Sequence, residues 1–149
     1  MKIDVWVLGK MKNFAKIAEE YMKMLSRFVD IDLLELGHES IEDESLLRKD
    51  AMKVLKMLRD DDYLVLLDEH GTSYDSISFA NHLSELLCKR NRIVYLVGGP
   101  MGVDESVKAR ANERLSLSRM TLTHRLAVVV LLEQLFRSFK ILNNERYHY

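Results

Sequence analysis

The sequence predicts an α/β fold: a parallel β-sheet with helices packed on both faces. Three observations predict it. Short runs rich in Val, Ile and Leu alternate with segments whose apolar residues recur at helical spacing, the pattern of βαβ units. Two of those runs, Tyr63–Leu67 and Ile93–Val97, are apolar throughout, as strands covered on both faces must be. No internal repeat, low-complexity segment or linker interrupts the pattern, so residues 1–149 read as one domain.

The elements follow in order. Lys2–Leu8 alternates around Val and Trp and reads as a strand, ended by Gly9. Asn13 can cap a helix to about Phe28, with Phe14, Ile17, Ala18, Tyr21, Met24, Leu25 and Phe28 on its inner face. Ile31–Leu36 is a second strand, stopped by Gly37. Residues 38–45 form a polar, acidic loop. A second helix starts near Asp43 and reaches about Arg59. The third strand, Tyr63–Leu67, ends at Asp68-Glu69-His70-Gly71, and a third helix spans Ser76–Lys89 with Ile77, Phe79, Ala80 and Leu83 apolar. The fourth strand, Ile93–Val97, runs into Gly98-Gly99-Pro100-Met101-Gly102, which holds the one proline of the chain. A short helix capped by Asp104 follows, then a short strand somewhere in Leu115–Met120. The last helix, from about Leu126 to Leu142, is apolar nearly all round, and a helix of that kind is buried. One face packed on the sheet and another on a second subunit would satisfy it, so a homodimer is expected.

Composition narrows the class of protein. Hydrophobic content of 48% with 30% charged residues indicates a globular chain with a real core. No apolar run reaches the ~20 residues of a membrane helix, so no membrane partner is expected. The first residues read as a strand and not as a signal peptide, and a single cysteine, Cys88, excludes an internal disulfide. Together these point to a cytoplasmic protein. Net charge is −1, yet from Glu105 onward eight basic residues face four acidic ones. The basic excess lies in the C-terminal part of the chain, which suits an anionic substrate there.

That part also carries the candidate chemistry. In open parallel sheets ligands sit beyond the carboxyl ends of strands. Gly98–Gly102 occupies such a place, and glycines let the backbone approach a ligand closely. The turn lacks the spacing of a dinucleotide or phosphate loop, and taken alone it is better read as a plain turn; its place after a buried strand and the hydroxyl-rich segment downstream raise it. Downstream, Leu115–His124 is rich in hydroxyl residues and too polar for core. His124 has Arg119 and Arg125 close by, cations that favour a neutral imidazole able to take a proton. It could as well be a structural residue at a helix start. Asp68 and Glu69 also follow a buried strand, where a carboxylate can bind a ribose, a metal or a proton, or simply be solvated. Cys88 has no histidine at a zinc-site spacing, so no metal is expected. The tail, Arg146-Tyr147-His148-Tyr149, could fray or could stack on an unpaired base while Arg146 meets phosphate.

GGPxG after an apolar strand, then LSLSxxTLxH opening a long apolar helix, then a chain ending near Tyr147-His148, resembles the ribosomal large-subunit methyltransferase H family of the SPOUT class. The resemblance implies a C-terminal trefoil knot, which composition cannot show and which the general rarity of knots argues against. It implies S-adenosylmethionine as cofactor, with the pocket formed by Leu67, Gly99 and the run Ser118, Arg119, Met120, Thr121, Leu122 and Thr123. It further implies a homodimer that methylates N3 of a pseudouridine in 23S rRNA on the ribosome. His124 and His148 would be the catalytic histidines, and Arg125, Arg146 and Tyr147 would meet the RNA. The chain departs from the family pattern at Met101, where an acid is usual, at Thr123, where proline is usual, and at Tyr149, often a basic residue. From the residues alone two other readings stay open. One is a cofactor-binding, ribosome-associated module without turnover. The other is a flavodoxin-like hydrolase or phosphate-binding domain.

Overall fold

A computed structural model describes residues 1–37 and 43–147. They form β1 (Lys2–Leu8), β2 (Asp30–Leu36), β3 (Tyr63–Ser73), β4 (Arg92–Val97) and β5 (Glu113–Ser116), with α1 (Ala15–Leu25), α2 (Glu44–Met57), α3 (Ser76–Lys89), α4 (Glu105–Arg110) and α5 (His124–Leu142). The strands make one parallel sheet in the order β2-β1-β4-β3-β5. The central pair, β1 and β4, is buried along almost its whole length.

Side-chain alternation along the strands divides the core into two layers. Ile3, Val5, Val7, Val65, Ile93, Tyr95 and Val97 face α1, α3 and α5. Trp6, Leu8, Leu64, Leu66, Val94 and Leu96 face α2 and α4 through Ala51, Val54 and Val107. This is why Tyr63–Leu67 of β3 and Ile93–Val97 of β4 are apolar throughout: each has a helical layer on both sides. At the β5 edge, His82 Nε2 lies 2.7 Å from Glu113 Oε1 and Tyr74 stacks on the His82 ring, tying α3 to the start of the short edge strand.

α5 begins at His124, two residues before the sequence suggests. Thr123 is its cap: the hydroxyl accepts from Leu126 N at 3.4 Å and the carbonyl from Ala127 N. The helix packs against both α1 and α3 and buries Val128, Leu131, Leu132, Leu135, Phe136 and Phe139. Three successive valines are poor helix formers. Burial of the large side chains, worth roughly 1.5–3 kcal/mol each, outweighs that. Leu126 stays exposed, and Val129 and Val130 are half-buried.

Other boundaries differ for identifiable reasons. Asn13 does not cap α1. It lies within a 3₁₀ turn, Lys12–Phe14, whose Phe14 N donates to Met11 O, while Met11 N donates to Glu35 Oε2 at 2.7 Å. α1 ends at Leu25, but Phe28 still packs inward, stacked on Phe139 at 5.6 Å. Ile17 and Ile77, counted on inner faces, are exposed. Asp104 caps α4 as expected, accepting from Ser106 N, and Asp43, the expected start of the second helix, is the cap of α2, accepting from Ser45 N. Part of the acidic loop expected over 38–45, residues 38–42, lies outside the described residues, as does His148. The largest difference is β3, which continues to Ser73 instead of ending at Leu67.

Candidate cofactor and active site

A cleft of about 230 Å³ opens beyond the carboxyl ends of the neighbouring strands β4, β3 and β5. Its walls are three chain segments, each leaving one of those strands. The volume is somewhat below the range of small-molecule sites, roughly 300 Å³ upward.

The first wall comes from β3. Leu67 and Thr72 both pair with Leu115, so Asp68–Gly71 are extra residues bulged out of the β3–β5 ladder. A bulge re-aims side chains, and here it turns Asp68 and Glu69 into the cleft. Asp68 accepts from His70 N at 2.9 Å and lies 3.4 Å from Arg114 Nη1. Glu69 accepts a short hydrogen bond from the Thr121 hydroxyl, joining the bulge to the opposite wall.

The second wall is the glycine turn after β4. Gly102 N donates to Gly99 O at 2.8 Å, closing the turn. Gly102 has φ +76, a left-handed conformation that glycine adopts without the penalty of a side chain. Val97, Gly98, Gly99, Pro100 and Gly102 all line the cleft, while Met101 is exposed.

The third wall is the hydroxyl-rich segment after β5. The strand stops at Ser116, because Ser116 Oγ donates to Ser118 O and Met120 N donates to Ser118 Oγ at 2.9 Å. Side-chain bonds thus replace a ladder and make a turn. Leu117, Ser118, Met120, Thr121 and Leu122 line the cleft.

His124 closes the corner. Its ring sits against the backbone of Gly9 so closely that a Cβ there would lie 2.8 Å from Nε2. Gly9 also has φ +148, so the end of β1 needs glycine both for space and for conformation. His124 Nε2 lies 3.2 Å from Lys10 O. A carbonyl only accepts, so in this contact Nε2 carries the proton and Nδ1 is the acceptor nitrogen of the neutral ring.

The cleft therefore brings together Leu67, Gly99, Ser118, Met120, Thr121, Leu122 and His124. Five other residues named from sequence are elsewhere. Arg119 is exposed, and the Thr123 side chain is taken by its capping role. Arg125 Nε donates to Lys10 O at 2.8 Å, beside the His124 contact. Tyr147 packs edge-on against Phe136 at 5.0 Å, with Arg137 over its ring. Phe136 lies three turns along α5 from His124, roughly 18 Å at the helical rise, so Tyr147 does not reach the cleft of its own chain. Arg146 is exposed near it. The basic excess of the C-terminal segment also stops short of the cleft: its lining includes two carboxylates and neither lysine nor arginine. Asp68 and Glu69 are the residues that the sequence reading weighed without assigning to the site. Their signal was a pair of acids directly after a buried strand, and what hid them was the bulge. Among the described residues no cluster of three or more His, Cys, Asp or Glu is arranged to hold a metal ion, and no helix is long and apolar enough to cross a membrane.

Residues 1–148 match the family described as Predicted SPOUT methyltransferase. The chain belongs to the SPOUT methyltransferases. Relatives agree over their whole length. A Pseudothermotoga lettingae protein named Ribosomal RNA large subunit methyltransferase H is 53% identical, with all of both chains covered. Proteins of the same name from Thermosipho melanesiensis and Thermotoga maritima are 39% and 36% identical, again with full coverage of both chains. As a SPOUT methyltransferase the chain has the parallel sheet expected from its sequence. Family membership implies that its C-terminal segments, which build two of the three cleft walls, form the trefoil knot.

Proposed function

We propose that this SPOUT methyltransferase uses S-adenosylmethionine to methylate N3 of a pseudouridine in 23S rRNA within the ribosome. The observation that carries the proposal is full-length identity of 53% to a large-subunit rRNA methyltransferase, combined with a cleft built from the segments that the family's motifs occupy. The lining fits the cofactor. Leu67, Val97, Leu115, Leu117, Leu122 and Ala127 offer apolar surface for a purine, the glycine turn exposes backbone, and the carboxylates suit a cationic ligand.

The cofactor supplies a methyl group already activated as a sulfonium, so the protein's work is alignment and proton removal. The residues of the three walls, with His124 at their corner, would hold the donor. With Nε2 donating to Lys10 O, the other ring nitrogen of His124, Nδ1, is the one with acceptor chemistry, and we assign it the imide proton of N3. Exposed Arg146, with Tyr147 and His148, would come from a second subunit, because Tyr147 is far from the cleft of its own chain. We assign the docking face of that second subunit to the region between α3 and α5. A hollow of about 550 Å³ between α3 and α5 includes Ile77, Leu117 and Val130, beside exposed Leu126. We place the protein in the cytoplasm, where its ribosomal substrate is.

The decisive experiment uses ribosomes lacking the modification, the purified protein and methyl-labelled cofactor. Label mapped to N3 of a 23S pseudouridine is the expected result. No transfer, with cofactor binding intact in calorimetry, would instead indicate a binding module. Sedimentation should give twice the chain mass, and Val130→Glu should shift it to the monomer. A monomeric wild type with full activity would refute the shared site.

A further inference from the structure

We propose that Glu69 makes the cleft discriminate by charge, holding the cationic methyl donor and releasing the neutral product. The proposal rests on the reading that the cleft takes S-adenosylmethionine. Its basis is the distribution of charge around the cleft. Asp68 and Glu69 line it together, with neither lysine nor arginine. Asp68 is already met by a cation, since Arg114 Nη1 lies 3.4 Å away and His70 N donates to it. Glu69 is met by groups that leave its charge standing. The Thr121 hydroxyl is neutral, and the His70 ring, 3.5 Å from Oε1, is 84% exposed, so water screens whatever charge it carries. The Glu69 side chain is itself only 35% exposed. Its charge thus acts from a partly shielded position, where screening is weaker than in bulk water.

Donor and product differ at one atom in charge. When the methyl carbon bonds to N3, the carbon–sulfur bond breaks, its electron pair stays on sulfur, and the sulfonium becomes a neutral thioether. The N3 proton leaves separately. A carboxylate near the sulfur therefore attracts the donor and loses that attraction once transfer is complete. The Thr121 bond fixes the carboxylate between the two walls, so its side chain need not be ordered again on each binding event.

Calorimetry with S-adenosylmethionine, S-adenosylhomocysteine and sinefungin, an amine-bearing cationic analogue, tests the proposal without turnover. In Glu69→Gln, which keeps an acceptor for Thr121, the preference for the donor over S-adenosylhomocysteine should fall on the order of tenfold, and sinefungin should follow the donor. Thr121→Val, which removes the hydroxyl and keeps the charge, should retain most of the preference. In the unaltered protein the preference should shrink as salt rises. An unchanged preference in Glu69→Gln, or equal weakening of all three ligands, overturns the proposal. Failure of the unaltered protein to bind any of the three would overturn the cofactor reading itself.

Discussion

Replacing His124 with glutamine should lower kcat by about 10²–10⁴ while leaving cofactor affinity close to that of the unaltered protein. The two halves of this expectation come from different atoms of one ring. Nε2 is structural: it ties the first residue of α5 to Lys10 O, next to the Gly9 backbone. The glutamine amide can reach the same carbonyl and donate to it. Nδ1 has no counterpart in glutamine that can take a proton at neutral pH. Alanine removes both functions, so His124→Ala should also weaken cofactor binding, because the helix start that forms one corner of the cleft loses its tie. Single-turnover rates on unmodified ribosomes, with binding measured separately, distinguish the two variants. Wild-type turnover in the glutamine variant would show that His124 only positions the cleft.

The second large effect lies at the opposite end of the sheet. Arg92, at the start of β4, donates to Asp62 from Nε at 3.0 Å and Nη2 at 2.6 Å, to Asp4 at 3.0 Å and to Met57 O at 3.1 Å. Both carboxylates are buried, and the guanidinium also lies over the Trp6 ring. Removing the cation alone leaves buried Asp4 with only Lys2, 3.8 Å away, and buried Asp62 with only the Arg59 amide. Arg92→Ala should therefore cost about 3–5 kcal/mol in urea unfolding at neutral pH. Adding Asp4→Asn and Asp62→Asn to that variant should recover part of the loss. The pH dependence has a definite sign. Burial pushes the Asp62 carboxyl up, but the Arg92 bonds and the Arg59 amide more than offset it and hold it below its ordinary 3.8. Its stabilisation is full above that ordinary value and is lost as pH falls through the lower folded one. Burial pushes Asp4 up, and its cations only partly offset this, so Asp4 works in the other direction. The cost of Arg92→Ala should be largest near pH 7 and should shrink as pH falls, first as Asp4 takes up its proton and then, below the ordinary 3.8, as Asp62 does. A cost independent of pH would mean that lost packing on Trp6, not charge, dominates.

Much of the architecture was legible because burial imposes local patterns. β1 and β4 are sandwiched between two helical layers, so nearly every residue must be apolar, and a run such as Ile93–Val97 announces itself. Asp43, Asp75 and Asp104 each accept from a backbone amide two or three residues on, which is local chemistry that a short window contains. The glycine turn and the Leu117–Leu122 segment were visible for a similar reason, since neither composition suits a core. Exposed Ile17 and Ile77 show the limit of that reasoning. Helical spacing says which residues share a face, and only the neighbouring elements say where the face ends.

By itself, then, the amino-acid order determined the parallel α/β layering, the Asp104 cap, the two segments that wall the cleft, and the motifs that identify the family. The tertiary structure alone decided the rest, because each remaining feature depends on residues far apart in the chain. The four-residue bulge in β3 exists only against Leu115, nearly fifty residues away. It converts an apparent strand end into a wall that aims Glu69 at Thr121. The role of each His124 nitrogen depends on Gly9 and Lys10, more than a hundred residues earlier. Tyr147 is held on α5, away from the cleft, by Phe136 and Arg137. Local propensity cannot encode such pairings, since they arise only when the sheet order β2-β1-β4-β3-β5 brings distant segments into register.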